Sequence, residues 1–485
     1  MPLPAATAAA PVPGGAAQRF TLEREIRADW WTLFQSPTLN ALIEKAFAAN
    51  PSIESAQAAL RVVQENVYAQ QGFFFPTVQA NYTPSRTKLA GNLGGNSPGI
   101  QGNGSVISTV QGTPVSEGGT PPFSGPVIYN FHTAQLTVGF APDVFGANRR
   151  QVESLQAQAQ AQQFQLQATY ITLASNIVAA AFQDALLRRQ IAITKEMIDA
   201  SVAAVDLVRR QIKAGYAARL DLALQESALA QARQLLPPLQ KQFEQNRDLL
   251  LALAGTVQDD EAPTFEFDAL RLPEELPLSL PSQLVEQRPD VRAAEEQLRA
   301  ASAQVGVARA ARLPQFSINA TVGGTASQFS QMFWGSGKFF NLALGIAQPL
   351  FDGGTLKHRE RAANESLHQA AAQYRSTVIT AYQNVADTLH AIHADAEALK
   401  AATEVTDAAR TVLDLTRRQH ARGYLDRLAL IGTEQTYRQA LLNLAQAQTS
   451  RFGDTAALFQ ALGGGWWHRA AQDGTALSHN ESSAR

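Results

Sequence analysis

The residues most able to do chemistry are few. His390 and His393 stand three apart on a helical stretch with Asp387 nearby, and such a set can ligate a divalent metal. A pair like this on a long helix is read as surface or packing. Gly335-Ser336-Gly337-Lys338 matches part of a phosphate loop, but Phe339 stands where Ser or Thr is required, so the segment reads as a turn between strands. Gly215-Tyr216 precedes Arg219-Leu220-Asp221, and Gly423-Tyr424 precedes Asp426-Arg427-Leu428. Glycines there can take positive φ and end long helices. The charges beside them are solvated, or linked in pairs worth only ~0 to 1 kcal/mol each. No His/Asp/Ser or paired-carboxylate constellation sits in a plausible pocket, which points to no enzyme and no cofactor. The count of Cys 0 excludes disulfides, thiolate metal sites, cysteine catalysis and, on the chain as given, a lipidated N-terminal Cys.

Composition narrows the partners. Lys+Arg 40 against Asp+Glu 42 gives a net charge of -2, with no basic excess to neutralise a phosphate backbone, so nucleic acid is excluded as a partner. Only 17% of residues are charged and 45% are hydrophobic, many of them Ala, which suits closely packed helices. The first twenty residues lack a basic segment followed by an apolar stretch, so they are not a secretory signal as written and suggest a processed or shortened start. No run reaches the ~18 uncharged apolar residues of a transmembrane helix. Any span of a membrane must use strands.

The chain is a duplication. Asn50-Pro51-Ser52-Ile53 through Leu60-Arg61 recurs as Arg288-Pro289-Asp290-Val291 through Leu298-Arg299, a shift of 238 positions, and Phe75-Pro76-Thr77-Val78 matches Leu313-Pro314-Gln315-Phe316 at the same shift. Ala214-Gly215-Tyr216 matches Arg422-Gly423-Tyr424 at a shift of 208, and Gly255 matches Gly463. A Gly/Pro/Ser-rich loop in the first copy, Lys88 to Pro126, absorbs the difference.

Each copy carries the same elements. A helix of about 34 residues (Thr38 to Gln71; Pro281 to Arg312) precedes two strands, followed by an uninterrupted helical pattern, Asn148 to Lys213 and Thr355 to Ala421. At ~1.5 Å per residue such a rod reaches about 100 Å. Apolar positions along it step by three and four, as in Leu166, Tyr170, Leu173, Ile177 and Leu367, Ala371, Tyr374, Val378, which implies coiled-coil-like packing. Return helices, Leu220 to Ala254 and Leu428 to Leu462, cover half of each rod. The leading helices have the length to cover the other half, stacked end to end. Pro237-Pro238 predicts a bend in the first return helix. The domain division is 1–37, an N-terminal and equatorial segment; 38–255, the first repeat; 256–280, an equatorial linker; 281–463, the second repeat; and 464–485, a tail.

The strand candidates Thr77 to Thr83, Ala134 to Phe140, Phe316 to Gly323 and Asn341 to Ala347 alternate apolar with small or polar residues. That pattern suits a half-buried soluble sheet or a membrane barrel with a wet lumen. Four strands cannot close a barrel, for which about eight is the minimum. Three copies give twelve strands over twelve rods, whereas two give a barrel filled by its own side chains. Phe73, Phe74, Phe75, Tyr129, Phe131, Phe339 and Phe340 are candidates for interfacial girdles.

In Asp29-Trp30-Trp31-Thr32-Leu33-Phe34, Pro142-Asp143-Val144-Phe145-Gly146, Leu236-Pro237-Pro238-Leu239 and Pro349-Leu350-Phe351-Asp352-Gly353-Gly354, together with the Asn50-Pro51 and Arg288-Pro289-Asp290 segments, the chain resembles the TolC-like outer-membrane factors. The branch is that of the multidrug efflux lipoprotein channels, and the likeness runs from about Asp29 to Gly463. It implies a mainly α fold with β: a trimeric α/β barrel duct with a 12-stranded outer-membrane β-barrel on a periplasmic α-helical barrel. It also implies partners: outer-membrane lipid, a periplasmic adaptor, and an inner-membrane efflux pump of the proton-driven class. The expected function is a passive conduit for small toxic compounds. A channel for protein secretion shares the architecture, and a periplasmic coiled-coil adaptor is the rival from another class. By this resemblance the adaptor docks on Gly215, Tyr216, Leu220, Gly423, Tyr424 and Leu428, while Arg219, Asp221, Asp426 and Arg427 contribute to a periplasmic gate. Where the family pattern continues to an Asp after the second tip, this chain has Gly432.

Overall fold

A computed structural model describes residues 18–22, 26–88, 99–100, 106–107, 128–256, 263–278 and 287–467. Most of the glycine-rich loop and of the N-terminal segment, parts of the linker and nearly all of the tail lie outside them. The helices are α1 (Pro37–Ala49), α2 (Pro51–Gln71), α3 (Ala147–Lys213), α4 (Arg219–Leu253), α5 (Pro289–Ala310), α6 (Thr355–Ala421) and α7 (Arg427–Ala461). The strands are β1 (Arg19–Leu22), β2 (Thr77–Lys88), β3 (Gly99–Ile100), β4 (Val106–Ile107), β5 (Ile128–Phe140), β6 (Glu275–Leu278), β7 (Gln315–Ala326) and β8 (Lys338–Ala347).

Two expectations need correction. The first leading helix is not one piece: Asn50, at φ -75° and ψ 122°, is extended between α1 and α2, as a residue before proline prefers. The Pro237-Pro238 pair interrupts nothing: α4 runs through it as a single helix, so any bend lies within that helix. Both prolines are exposed, so water can satisfy the carbonyls they leave without an N–H partner. The second leading helix is described from Pro289, and 281–286 lie outside the described residues. In α3, one 18-residue window is long and apolar enough to cross a membrane, but 72% of it is buried. It is core.

The chain divides into two compact units, each drawing on both repeats. The first comprises 1–62, 160–297 and 371–485. Its core is aromatic: Trp30 stacks on Phe459 at 5.4 Å, Phe34 meets Phe182 edge-on at 5.0 Å, and Phe182 lies 5.1 Å from Phe452. The Trp30-Trp31 motif is therefore a plug between α3 and α7, held by a 3-10 turn (Trp30–Phe34). Beside it β1 and β6 pair in parallel.

The expected meeting of return and leading helices is present within this unit. Asn50 Nδ2 donates to the Leu253 carbonyl (2.8 Å), and Arg288 Nη1 donates to the Ala461 carbonyl (2.8 Å). Each return helix thus ends on the start of a leading helix, capped by the residue before the repeat's proline. Gly255 and Gly463 sit at φ +72° and +94°, and a Cβ on either would collide with the backbone of Ala49 or Gln287. Glycine is required there both for the turn and for the close approach.

The second unit comprises 63–159 and 298–370. It holds a four-stranded antiparallel sheet in the order β2-β5-β7-β8, with the adjoining ends of the long helices. Ser154 Oγ donates to the Ala300 carbonyl (3.1 Å) and accepts from Gln304 Nε2 (2.9 Å), joining α3 to α5. Arg309 and Arg312 both pair with Glu360, joining α5 to α6 and holding the Glu360 carboxyl below the usual range, Arg312 being the larger cause.

Candidate functional site

The strands are 12, 13, 12 and 10 residues long, longer than the alternating cores expected and sufficient for the ~9 to 11 residues of a tilted transmembrane strand. Their register aligns the alternation across the whole sheet. Val78 faces Val138, and Ala80 faces Leu136; Leu136 faces Val322 and Phe140 faces Ile318; Ile318 faces Leu344, and Ala320 faces Leu342. Pairs opposite each other share a face, so the apolar sides of the four strands coincide on one face over these pairs. The other carries Gln79, Gln135, Thr137, Asn319, Thr321 and Asn341 with small residues between them.

The apolar face is open: Leu342 is 74% and Leu344 69% exposed. A face like this in water would be an aggregation surface; in a bilayer it is matched to the hydrocarbon. Edge strands β2 and β8 leave unpaired backbone N–H and C=O groups, which lipid cannot satisfy.

The girdle expectation is only partly met. Phe131 and Phe339 fall at odd register positions on the polar face, while Phe340 lies on the apolar one and is 85% exposed. Phe73 and Phe75 are exposed where α2 gives way to β2. The side chain of Tyr129 lies outside the described residues. A set not anticipated stands at the other end: Tyr82, Phe329, Phe333 and Trp334 are all exposed.

The helix tips lie in the first unit. Gly215 and Gly423 have φ +83° and +76°. Gly215 N bonds Ile212 O (3.0 Å) and Tyr216 N bonds Gln211 O (2.8 Å), a pattern repeated by Gly423 on His420 and Tyr424 on Gln419 (3.0 Å each). This is the Schellman closure of a helix end. It leaves Tyr216 86% and Tyr424 76% exposed, with Leu220 exposed and Leu428 half-buried.

The expected gate residues are engaged differently within the single chain. Asp221 accepts from Ala218 N (2.8 Å), and Asp426 accepts from Ala429 N (2.8 Å). Each carboxylate caps its own helix, and Arg219 and Arg427 pair with neither. A different linkage was missed. Arg209 pairs with Glu226 (2.9 Å) and Arg417 with Glu434 (3.5 Å), tying α3 to α4 and α6 to α7. Both pairs obey the 208-residue shift, so the repeat alone could have revealed them. His393 faces Glu397 at 3.7 Å and Asp387 accepts from Gln383; among the described residues no acidic and histidine groups gather to hold a metal.

Between α6 and α7, Asp395 lies beside Asp454 near the buried Arg451. Burial, then the adjacent carboxyl of Asp454 and its charge, push the Asp395 carboxyl up to about 7, against the pull of Arg451. Burial in turn lowers Arg451 from its ordinary value. Its Nε donates to Gln18 Oε1 (3.1 Å). The folded chain holds a proton on Asp395 between pH 3.8 and about 7 that the unfolded chain has released, so stability falls as pH rises through that window. Asp395→Asn should raise the melting temperature at pH 8 by a few degrees and change it little at pH 4. Equal shifts at both values would contradict this.

An apolar, open strand face of membrane-spanning length, backed by a polar face and joined to helices of 67 residues, defines an outer-membrane channel of the helix-and-barrel type. Comparison with known proteins agrees. The chain belongs to the outer membrane efflux protein family, whose model matches residues 42–256 and 280–464. It is 28% identical over 438 residues to the pyoverdine export outer membrane protein OpmQ of Pseudomonas putida, covering 90% of this chain and 88% of that one. It is 27% identical over 481 residues to the toluene efflux pump outer membrane protein TtgC, also of Pseudomonas putida, covering 97% and 92%. The solved outer-membrane channel OprN superposes with a TM-score of 0.78 at 25% identity, covering 95% of this chain and 97% of that one. The protein is an outer-membrane efflux channel component of the bacterial cell, with the internally duplicated, mainly α fold expected.

Proposed function

We propose that three copies close one passive duct that carries small toxic compounds outward. The observation that supports this most is the sheet with two free edges. Strand directions alternate from β2 to β8, so β8 of one copy beside β2 of the next continues the antiparallel order. Three copies then satisfy every edge and enclose the polar face. On the helices, Val62, Leu224, Leu235, Ile379, Val405 and Val412 are exposed in the single chain, as positions packed by neighbouring copies would be. The chain supplies the conduit and performs no catalysis. A periplasmic adaptor docks on Gly215, Tyr216, Leu220, Gly423, Tyr424 and Leu428, and a proton-driven inner-membrane pump supplies the energy. Arg219, Asp221, Asp426 and Arg427 act at the gate between copies, since within one copy the two carboxylates cap helices. The domain division of the sequence stands as part of this reading.

Two tip variants test it. Gly423→Trp places a bulky side chain at φ +76° in open space; it should leave the heat-sensitive trimer intact while cells lose resistance to exported compounds. Asp221→Ala should enlarge conductance in planar bilayers. Undiminished export with the first variant removes the docking assignment, and unchanged small conductance with the second removes the gate.

A further inference from the structure

Along the outward sheet face the side chains change from apolar to aromatic to basic. Val78, Ala80 and Tyr82 are followed on the same face of β2 by Arg86 and Lys88, and Lys338 opens β8 on that face opposite Gly324. All three basic residues are exposed. Strands β2, β5, β7 and β8 and the connector from β7 to β8 contain no Asp or Glu, so no acidic side chain in them offsets this charge. Ten residues from Val78 to Lys88 rise about 24 Å when tilted ~45° at ~3.4 Å per residue. That matches the ~25 Å apolar band of an outer-membrane barrel and sets Arg86 and Lys88 at its far edge, away from the helix that β2 adjoins, while Lys338 stands level in register with Tyr82.

The connector adds a pocket to the charge. Its 3-10 turn (Phe329–Phe333) folds back on the same face: Met332 is fully buried, and a Cβ at Gly324 would strike the Met332 carbonyl. Phe329 packs edge-on against Tyr82 at 5.8 Å. A cavity of about 500 Å³ lies here, lined among others by Tyr82, Leu136, Val322, Met332, Phe333 and Lys338. We infer that this collar binds a lipid of the outer leaflet that bears two phosphates, with part of an acyl chain in the cleft under the connector, one phosphate on Lys338 and the other on Arg86 and Lys88. Ammonium and guanidinium groups complement phosphate, and aromatic rings hold the headgroup level. The proposal rests on the channel reading and extends it to one lipid class.

The test is partition of labelled diphosphoryl lipid A onto the full chain in phosphatidylcholine nanodiscs, against the variant Arg86→Gln/Lys88→Gln/Lys338→Gln. The wild type should retain lipid A about tenfold or more over phosphatidylcholine, and the variant should lose that preference while conducting normally in phosphatidylcholine bilayers. If the triple variant does not assemble, Lys338→Gln alone should weaken retention, and about 0.5 M salt should weaken that of the wild type. Equal retention by wild type and an assembled variant, or indifference to salt, would each overturn the collar. A wild type that conducts and shows no preference refutes the collar alone; one that does not conduct refutes the channel.

Discussion

Replacing Leu344 by arginine should abolish assembly in the outer membrane, whereas lysine at Thr321 should leave assembly intact and change only conductance. Leu344 lies mid-strand on β8 opposite Ile318, on the apolar face, and is 69% exposed in the single chain. A charge at that depth costs about 2 to 4 kcal/mol per copy. Three copies in one barrel multiply this to roughly 6 to 12 kcal/mol, comparable to the whole stability of a folded domain. Thr321 pairs with Thr137 and Asn341 on the opposite face, where water already solvates its neighbours. Trimer yield in isolated outer membranes distinguishes the two. Equal loss with both variants would mean the faces are not divided between lipid and water.

The second large effect is expected far from any strand. Trp30→Ala should destabilise the first unit by about 3 to 5 kcal/mol, because Trp30 is fully buried, stacked on Phe459 and edge-on to Phe34. Trp30→Phe should cost much less. The indole Nε1 is buried without a hydrogen-bond partner, so the phenyl ring keeps most of the packing and removes an unsatisfied donor. Thermal unfolding followed by tryptophan-independent circular dichroism measures both. A phenylalanine variant as unstable as the alanine one would show that the indole has a role beyond filling the core.

What could be read in the sequence was whatever repeats. The long helices, the tip glycines and the strand alternation each occur twice at fixed shifts, and the structure places the long helices within a residue of their expected bounds and extends the strands beyond theirs. What could not be read depends on neighbours in space. Nothing in Asn50-Pro51 by itself distinguishes a helix that continues from one that breaks and caps another helix's last carbonyl. Arg288, at the matching position, does the same capping with a different side chain, so similarity of residue type would not have revealed it. The strand pattern gave two faces per strand, but only the register shows that the apolar faces coincide and that Phe131 and Phe339 belong to the wet one. At the tips, the charges of Asp221 and Asp426 are visible in the sequence, whereas the use of both carboxylates as helix caps within one copy is a matter of a few ångströms.

The division of the sheet into a lipid face and a water face can be measured directly, since the chain contains no cysteine and single cysteines carry a spin label without background. Labels at 341, 342, 343, 344, 345 and 346 of β8 in reconstituted bilayers should alternate with a period of two. The even positions should relax with membrane-soluble oxygen and the odd ones with a water-soluble nickel chelate. Uniform access to the nickel chelate along β8 would contradict the account.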